Sequence, residues 1–334
     1  MNLPALTVFA LGGTIAMTPS AQGGVVPTLT GEMLVAAVPG LGGLAAIDAV
    51  SFRQVPGAHL GFDDLEALAV AVRQAIADGA RGVVVTQGTD TLEETAFALD
   101  LLLDVEAPVV VTGAMRNPAV PGADGPANLL AAAQVALSDA ARGLGCLVVM
   151  NDEIHAARFV RKTHTSSPAA FNSPGAGPLG WVGEGRVRIA LRVARVPALA
   201  PTDAPRAVRV ALVTVGLGDD GSAVTALHGA GFDGLVVLAT GGGHVAPGVA
   251  DALEAAARQL PVLLASRTGA GEVLRATYGF TGSEIDLQRR GLVRAGWLDG
   301  LKARLWLTLM LRRGPVDAAQ AAVGLRPWGG GAGD

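Results

Sequence analysis

Short, almost wholly apolar runs recur along the first half of the chain: Leu6 to Leu11, Gly82 to Thr86, Val109 to Thr112 and Cys146 to Met150. They are rich in β-branched residues and show no polar alternation, which predicts strands buried on both faces. Between them, Phe62 to Asp78, Glu93 to Leu103 and Ala127 to Leu137 are Ala/Leu-rich and amphipathic, as helices are. Asp63 with Glu66, and Thr91 with Glu94, have the spacing of a capping box and predict helix starts there. Such strands alternating with helices predict an α/β fold with a parallel-type sheet covered on both faces.

The same alternation returns on a smaller scale. Strands are expected at Val208 to Val215, Leu235 to Ala239 and Val262 to Ala265, with helices near Pro247 to Arg258 and Leu301 to Leu311. Val193 to Ala207, reading VARVPALAPTDAPRA, is Pro-rich and aperiodic, the signature of a linker. Two domains follow: a larger N-terminal α/β domain over 1–192, a linker over 193–207 and a smaller C-terminal α/β domain over 208–334. The glycine-rich tail, Gly329 to Asp334, is expected to fray.

Composition narrows the class. With 334 residues the chain has room for roughly two domains and can bury a sizeable core without a disulfide or metal staple. Half of its residues are hydrophobic and 16% are charged, which excludes a disordered chain. No apolar run is long enough to span a bilayer, and a formal charge of −4 disfavours nucleic acid as a partner. Cys146 is the only cysteine, so no internal disulfide and no thiolate metal cluster can form. No metal and no cofactor are expected. The opening MNLPALTVFALGGT lacks a basic n-region and reads as a first strand, so a cytoplasmic location is expected.

In open parallel α/β sheets, ligands bind beyond the carboxyl ends of the strands. LGGTIA (Leu11 to Ala16) follows the first strand; its glycines permit a tight turn that presents the Thr14 hydroxyl. TQGTDTLEET (Thr86 to Thr95) follows another strand and places Gly88, Thr89 and Asp90 before a helix N-terminus, where free N–H groups gather. Lysine occurs only at Lys162 and Lys302 in a chain that otherwise uses arginine. Lys162 therefore reads as a required amine, since lysine can give up its proton where arginine does not. Each signal has a plainer reading: turn punctuation for Thr14, an N-cap for Asp90, compositional chance for Lys162. Together they fit acyl transfer, with a hydroxyl attacking an amide carbon and a Lys–Asp pair handling protons. A serine-type triad is disfavoured, because His59 lies in a loop of its own and no GxSxG occurs.

GGTIA, GTDTLEET, GAMR (Gly113 to Arg116), ADGPANL (Ala123 to Leu129), VVMND, Lys162 before Thr163, and EVLRATYGF (Glu272 to Phe280) occur in one order along nearly the whole chain. In this the chain resembles the bacterial-type L-asparaginases of the asparaginase/glutaminase amidohydrolase family. The resemblance implies hydrolysis of a side-chain carboxamide to carboxylate and ammonia, without cofactor. It implies Thr14 as the nucleophile that forms an acyl-enzyme, and Thr89 across the scissile amide with Lys162 and Asp90 as its proton partners. Asp90 would also receive the substrate α-ammonium, and the carbonyl of Ala114 would hold the leaving nitrogen. Substrate contacts are carried over to Ala58, His59, Gly88, His244 and Glu272. The resemblance further implies a homotetramer of intimate dimers, each site completed by a neighbour's C-terminal domain.

The chain departs from the family pattern in places. Met17 to Thr30 contains no tyrosine to fold over Thr14. Ala58 and His59 stand where a Ser–Gln pair grips the substrate backbone, and His244 stands for an asparagine. Met17 to Gly24, with its Gly, Ser, Pro and Gln, is expected to be a mobile lid. Two other functions remain open on the sequence: the ammonia-supplying subunit of a tRNA-dependent amidotransferase, and a non-catalytic module binding a small amino acid.

Overall fold

The computed structural model describes residues 3–19, 25–27 and 29–331. The chain divides into two units, Met1–Leu199 and Ala200–Asp334.

The larger unit opens with β1 (Ala5–Ala10), a 3₁₀ turn at Thr14–Ala16 and a hairpin of β2 (Met17–Pro19) and β3 (Val25–Pro27). It continues through α1 (Gly31–Ala36), α2 (Leu41–Leu44), β4 (Ala46–Ser51), a 3₁₀ turn at Gly57–His59, α3 (Phe62–Ala77) and β5 (Gly82–Thr86). Then come α4 (Leu92–Leu102), β6 (Val109–Thr112), α5 (Gly125–Ala136), β7 (Cys146–Met150) and β8 (Glu153–Ala156). The short strands β9 (Arg161–Lys162) and β10 (Phe171–Asn172) precede β11 (Gly180–Gly183) and β12 (Arg186–Ile189).

One eight-stranded sheet runs in the order β12-β11-β8-β7-β6-β5-β1-β4. From β4 to β7 its strands are parallel; β8, β11 and β12 add antiparallel neighbours. The sheet is thus mixed where the alternation of elements predicts a parallel one. The cause is local: Asn151 and Asp152 both adopt positive φ (52° and 62°), the two-residue turn that sends a strand straight back along its neighbour. Every residue of β5, β6 and β7 is buried, as their unbroken apolar runs require. Leu6, Val8, Val84, Val110 and Leu147 pack with Leu129, Ala132 and Val135 of α5 in one core.

The predicted helix starts shift in register. Gly61 is the N-cap of α3 and its N–H donates to Asp64 Oδ2 at 3.0 Å, so the acidic cap comes from Asp64 and not from the Asp63–Glu66 pair. Thr91 occupies the N-cap of α4, yet its hydroxyl does not cap the helix.

The smaller unit contains β13 (Val210–Thr214), α6 (Ser222–Gly229), β14 (Gly234–Ala239), α7 (Pro247–Ala257) and β15 (Val262–Ser266). These are followed by α8 (Glu284–Arg289), β16 (Val293–Arg294), α9 (Gly300–Arg313) and α10 (Ala318–Leu325). Its sheet, β13-β14-β15-β16, is parallel throughout. Pro247 opens α7, where its missing N–H costs nothing. Asp299 caps α9 by accepting the Lys302 N–H at 3.0 Å.

Residues 190–209 form neither helix nor strand. Arg195 donates to the carbonyls of Leu103 and Val105, and the Leu199 N–H to that of Leu101. Further on, the Arg206 N–H donates to the Arg312 carbonyl and Arg313 Nε to that of Ala200. Each half of the connecting segment is therefore fastened to its own unit. In the tail, Gly330 and Gly331 are tied to the carbonyls of Leu325 and Arg294, so the expected fraying does not begin at Gly329. Of the expected lid, Met17–Pro19 forms β2, and residues 20–24 lie outside the described residues.

Candidate active site

Strand order decides which loops meet. With β1 between β4 and β5, and β6 beyond β5, the loops after β1, β5 and β6 emerge side by side at one end of the sheet. Gly13 (φ 82°) approaches the second loop so closely that a Cβ there would lie 2.0 Å from Gly88 N. A Cβ on Gly113 would stand 2.5 Å from the Gln87 carbonyl oxygen and 3.3 Å from Thr89 Cγ2. A Cβ on Gly57 would stand 2.9 Å from the Gly88 carbonyl oxygen. Three loops thus converge on the one that carries Gly88 and Thr89, each bringing a glycine against it.

Thr14 begins the 3₁₀ turn directly after Gly13 and is half-buried. Thr89 is buried, with 5% of its surface exposed, and Asp90 beside it is open to solvent. Lys162 Nζ donates to Thr89 Oγ1 at 2.9 Å and to Asp90 Oδ1 at 2.8 Å. Lys162 lies within β9, paired with Phe171 of β10. Asp90 is not the N-cap; Thr91 is. The Thr91 hydroxyl donates to the Gly57 carbonyl at 2.8 Å and accepts from Gln87 Nε2 at 3.0 Å. It ties the Gly57–His59 turn to the β5 loop, with Ala58 and His59 of that turn exposed.

Ala114 is buried in the loop after β6. That loop is shaped by two residues that sequence reasoning notes only as part of a motif. Asp124 accepts the N–H groups of Met115 (3.0 Å) and Arg116 (2.9 Å). Asn128 donates to the Gly113 carbonyl at 3.0 Å and accepts the Asn151 N–H at 3.0 Å. Their separation of four, one helical turn, was the available signal. Gly125 lies against Ile15, where a Cβ would meet Cγ1 at 3.0 Å, so the same motif also packs against the Thr14 turn.

His244 and Glu272 belong to the smaller unit, on the loops that follow β14 and β15. His244 Nε2 is 3.1 Å from Glu284 Oε2, and its ring meets Tyr278 and Phe280 edge-on. Glu284 also accepts the Thr277 and Tyr278 N–H groups. Burial pushes the Glu284 carboxyl up, but these N–H donors and His244 outweigh it and hold the group below its usual range. Glu272 is exposed near Gly329 and within the field of Arg294. The structure therefore gathers Gly88, Thr89, Asp90, Lys162 and the turns bearing Thr14, His59 and Ala114 within one unit, and holds His244 and Glu272 on the other. Among the described residues, no group of three or more His, Cys, Asp or Glu side chains is placed to hold a metal. No helix among them is long and apolar enough to cross a membrane.

A buried hydroxyl bonded to an amine that is itself bonded to a carboxylate is equipment for moving protons at a reacting amide.

Comparison with known proteins bears on the chain as a whole. Residues 5–195 match the family model "Asparaginase, N-terminal", and residues 209–322 match "Glutaminase/Asparaginase C-terminal domain". A probable L-asparaginase of Deinococcus radiodurans is 39% identical over 318 residues, covering 94% of each chain. A probable periplasmic L-asparaginase of Haemophilus influenzae is 34% identical over 325 residues, 93% of this chain and 89% of that one. The crystal structure of a probable cytoplasmic L-asparaginase from Campylobacter jejuni superposes with a TM-score of 0.87 at 30% identity, covering 97% of this chain and 99% of that one. By both of its domain models and over its whole matched length, the chain belongs to the asparaginase family.

Proposed function

We propose that the protein hydrolyses the side-chain carboxamide of L-asparagine, releasing aspartate and ammonia through a threonyl acyl-enzyme. The observation that carries the reading is the Thr89–Lys162–Asp90 relay at 2.9 and 2.8 Å, set beside the Thr14 turn by the contact of Gly13 with Gly88. Thr14 Oγ attacks the amide carbon, and its proton passes to the departing nitrogen, which leaves as ammonia. Water then attacks the resulting ester; one of its protons returns to Thr14, and the other passes to ammonia or solvent as the free carboxylate departs. Thr89, bonded to Lys162, exchanges a proton in either direction across that bond, and Asp90 balances the ammonium. Asp90 and the exposed His59 are the groups that meet the substrate's ammonium and carboxylate. Ala58, where no side-chain donor exists, widens the set of amides to be tested. The carbonyl of Ala114 faces the leaving nitrogen.

The same proposal includes a homotetramer in which a neighbour's smaller unit supplies His244 and Glu272, which solution scattering tests. It also includes a cytoplasmic location, which cell fractionation tests. The decisive experiment is ammonia release from a panel of asparagine, glutamine and other carboxamides by the wild type and by Thr14→Val. Release from asparagine by the wild type alone is expected. Full release by Thr14→Val, or none by the wild type on any amide, overturns the reading.

A further inference from the structure

Lys162 must present its ammonium to two acceptors at once, and a long flexible side chain does so only if its own backbone is held still. The strand that carries it cannot do this unaided, because β9 has only two residues and pairs with the equally short β10. The Lys162 N–H donates across to Glu93 Oε1 at 3.2 Å. Glu93 lies in the first turn of α4 and is only 5% exposed, an uncommon setting for a carboxylate. Helix α4 is the one whose preceding residues are Thr89 and Asp90.

Asp100 lies seven residues after Glu93, two helical turns on and so on the same stripe of α4. Its Oδ2 accepts from Arg158 Nη2 at 3.2 Å, with both side chains 5% exposed. Arg158 is four residues before Lys162. One face of one helix therefore fixes the segment 158–162 at both ends, while the loop leading into that helix presents the acceptors for Lys162 Nζ.

We propose that Glu93 is a positioning residue for Lys162, with the buried Asp100–Arg158 pair fixing the other end of the same segment. The inference rests on the proposed role of Lys162 in amide hydrolysis. It assigns to Glu93 a geometric task, that of accepting a backbone N–H, and not a proton-transfer step of its own.

The test compares steady-state ammonia release from L-asparagine by wild type, Lys162→Met, Glu93→Met and Glu93→Gln. Lys162→Met is expected to lose about a hundredfold or more in kcat. Glu93→Met keeps the side-chain volume but offers no oxygen, and is expected to lose about ten- to a hundredfold in kcat with KM nearly unchanged. Glu93→Gln keeps an oxygen at the same reach and is expected to return most of the wild-type kcat. If Glu93→Met does not fold, as circular dichroism reports, Glu93→Asp takes its place: the charge stays, the reach shortens by one methylene, and about a tenfold loss in kcat is expected. A wild-type kcat in the folded member of that pair while Lys162→Met is inactive overturns the inference alone. So does a loss in Glu93→Gln equal to that of Glu93→Met, which assigns the effect to charge. Wild-type activity in Lys162→Met overturns instead the functional reading beneath it.

Discussion

Replacing Asp90 by asparagine separates what this residue does for the reaction from what it does for the fold. Its side chain is 72% exposed and that of Lys162 is 16% exposed, with 2.8 Å between the charged atoms. An ion pair so open to water contributes about 0–1 kcal/mol to stability, because solvent screens it and two long side chains must be ordered to make it. For a unit the size of Met1–Leu199, a loss of that order lowers the melting midpoint by at most about 2–4 °C. Asparagine also keeps an oxygen for Lys162 Nζ, so the position of the amine survives. What disappears is the negative charge that, in the proposed mechanism, balances a proton moving between Lys162 and Thr89 and meets the substrate's ammonium. A group that assists proton transfer accounts for about 10²–10⁴ in rate, equal to about 2.7–5.5 kcal/mol of barrier. Ammonia release from asparagine should therefore fall by two orders of magnitude or more, while thermal unfolding followed by circular dichroism shifts by a few degrees. Activity within threefold of wild type would falsify the proton role. A melting point lowered by more than about 8 °C would show Asp90 to be structural.

Gly13→Ala places a Cβ 2.0 Å from Gly88 N at a φ of 82°, so the Thr14 turn must move away from the Thr89 loop; more than about tenfold of the activity should be lost, and a fully active variant would refute the packing argument. Arg158→Leu strands the Asp100 carboxylate, whose group is pushed up chiefly by burial, and should cost about 3–5 kcal/mol in urea unfolding, part of which Asp100→Leu in the same chain restores; equal losses in the single and double variants would argue against the ion pair. His155 is fully buried, with Nδ1 2.9 Å from Ser173 Oγ, and burial lowers its pKa from 6.5 to about 4. Between those values the unfolded chain takes up the proton that the folded chain refuses, so the stability present above pH 6.5 is lost as pH falls to about 4, by up to about 3 kcal/mol. The melting point of His155→Phe should be flatter over that window, and an unchanged pH dependence would remove His155 as its source.

The sheet interior was legible because burial on both faces erases polar alternation. Gly82–Thr86, Val109–Thr112 and Cys146–Met150 stand in the structure with the bounds their apolar runs imply. The edges were not legible. In β4, Ala46–Ser51 alternates partly buried and exposed residues around Asp48, and β12 carries Arg186 and Arg188 on its open side. Neither forms an apolar run, because an edge strand keeps one side in water. The loops proposed to carry the chemistry follow from the rule about carboxyl ends, but which loops touch depends on strand order, and that order is written in no single segment. The misread caps make the same point at closer range. A threonine three residues before a glutamate can cap its helix or bond elsewhere, and the local sequence is identical in both cases. For Thr91 the choice was made by the Gly57 carbonyl, 34 residues away in the chain, which accepts its hydroxyl at 2.8 Å. Glu93 reads locally as one more acidic residue in a helix's first turn, where the dipole favours it. Only the return of the chain at Lys162 reveals that its oxygen is engaged. Local rules therefore fail in this protein at the residues around Thr89, where a side chain has been taken from its own helix to hold a distant loop, and such failures are themselves a guide to the site.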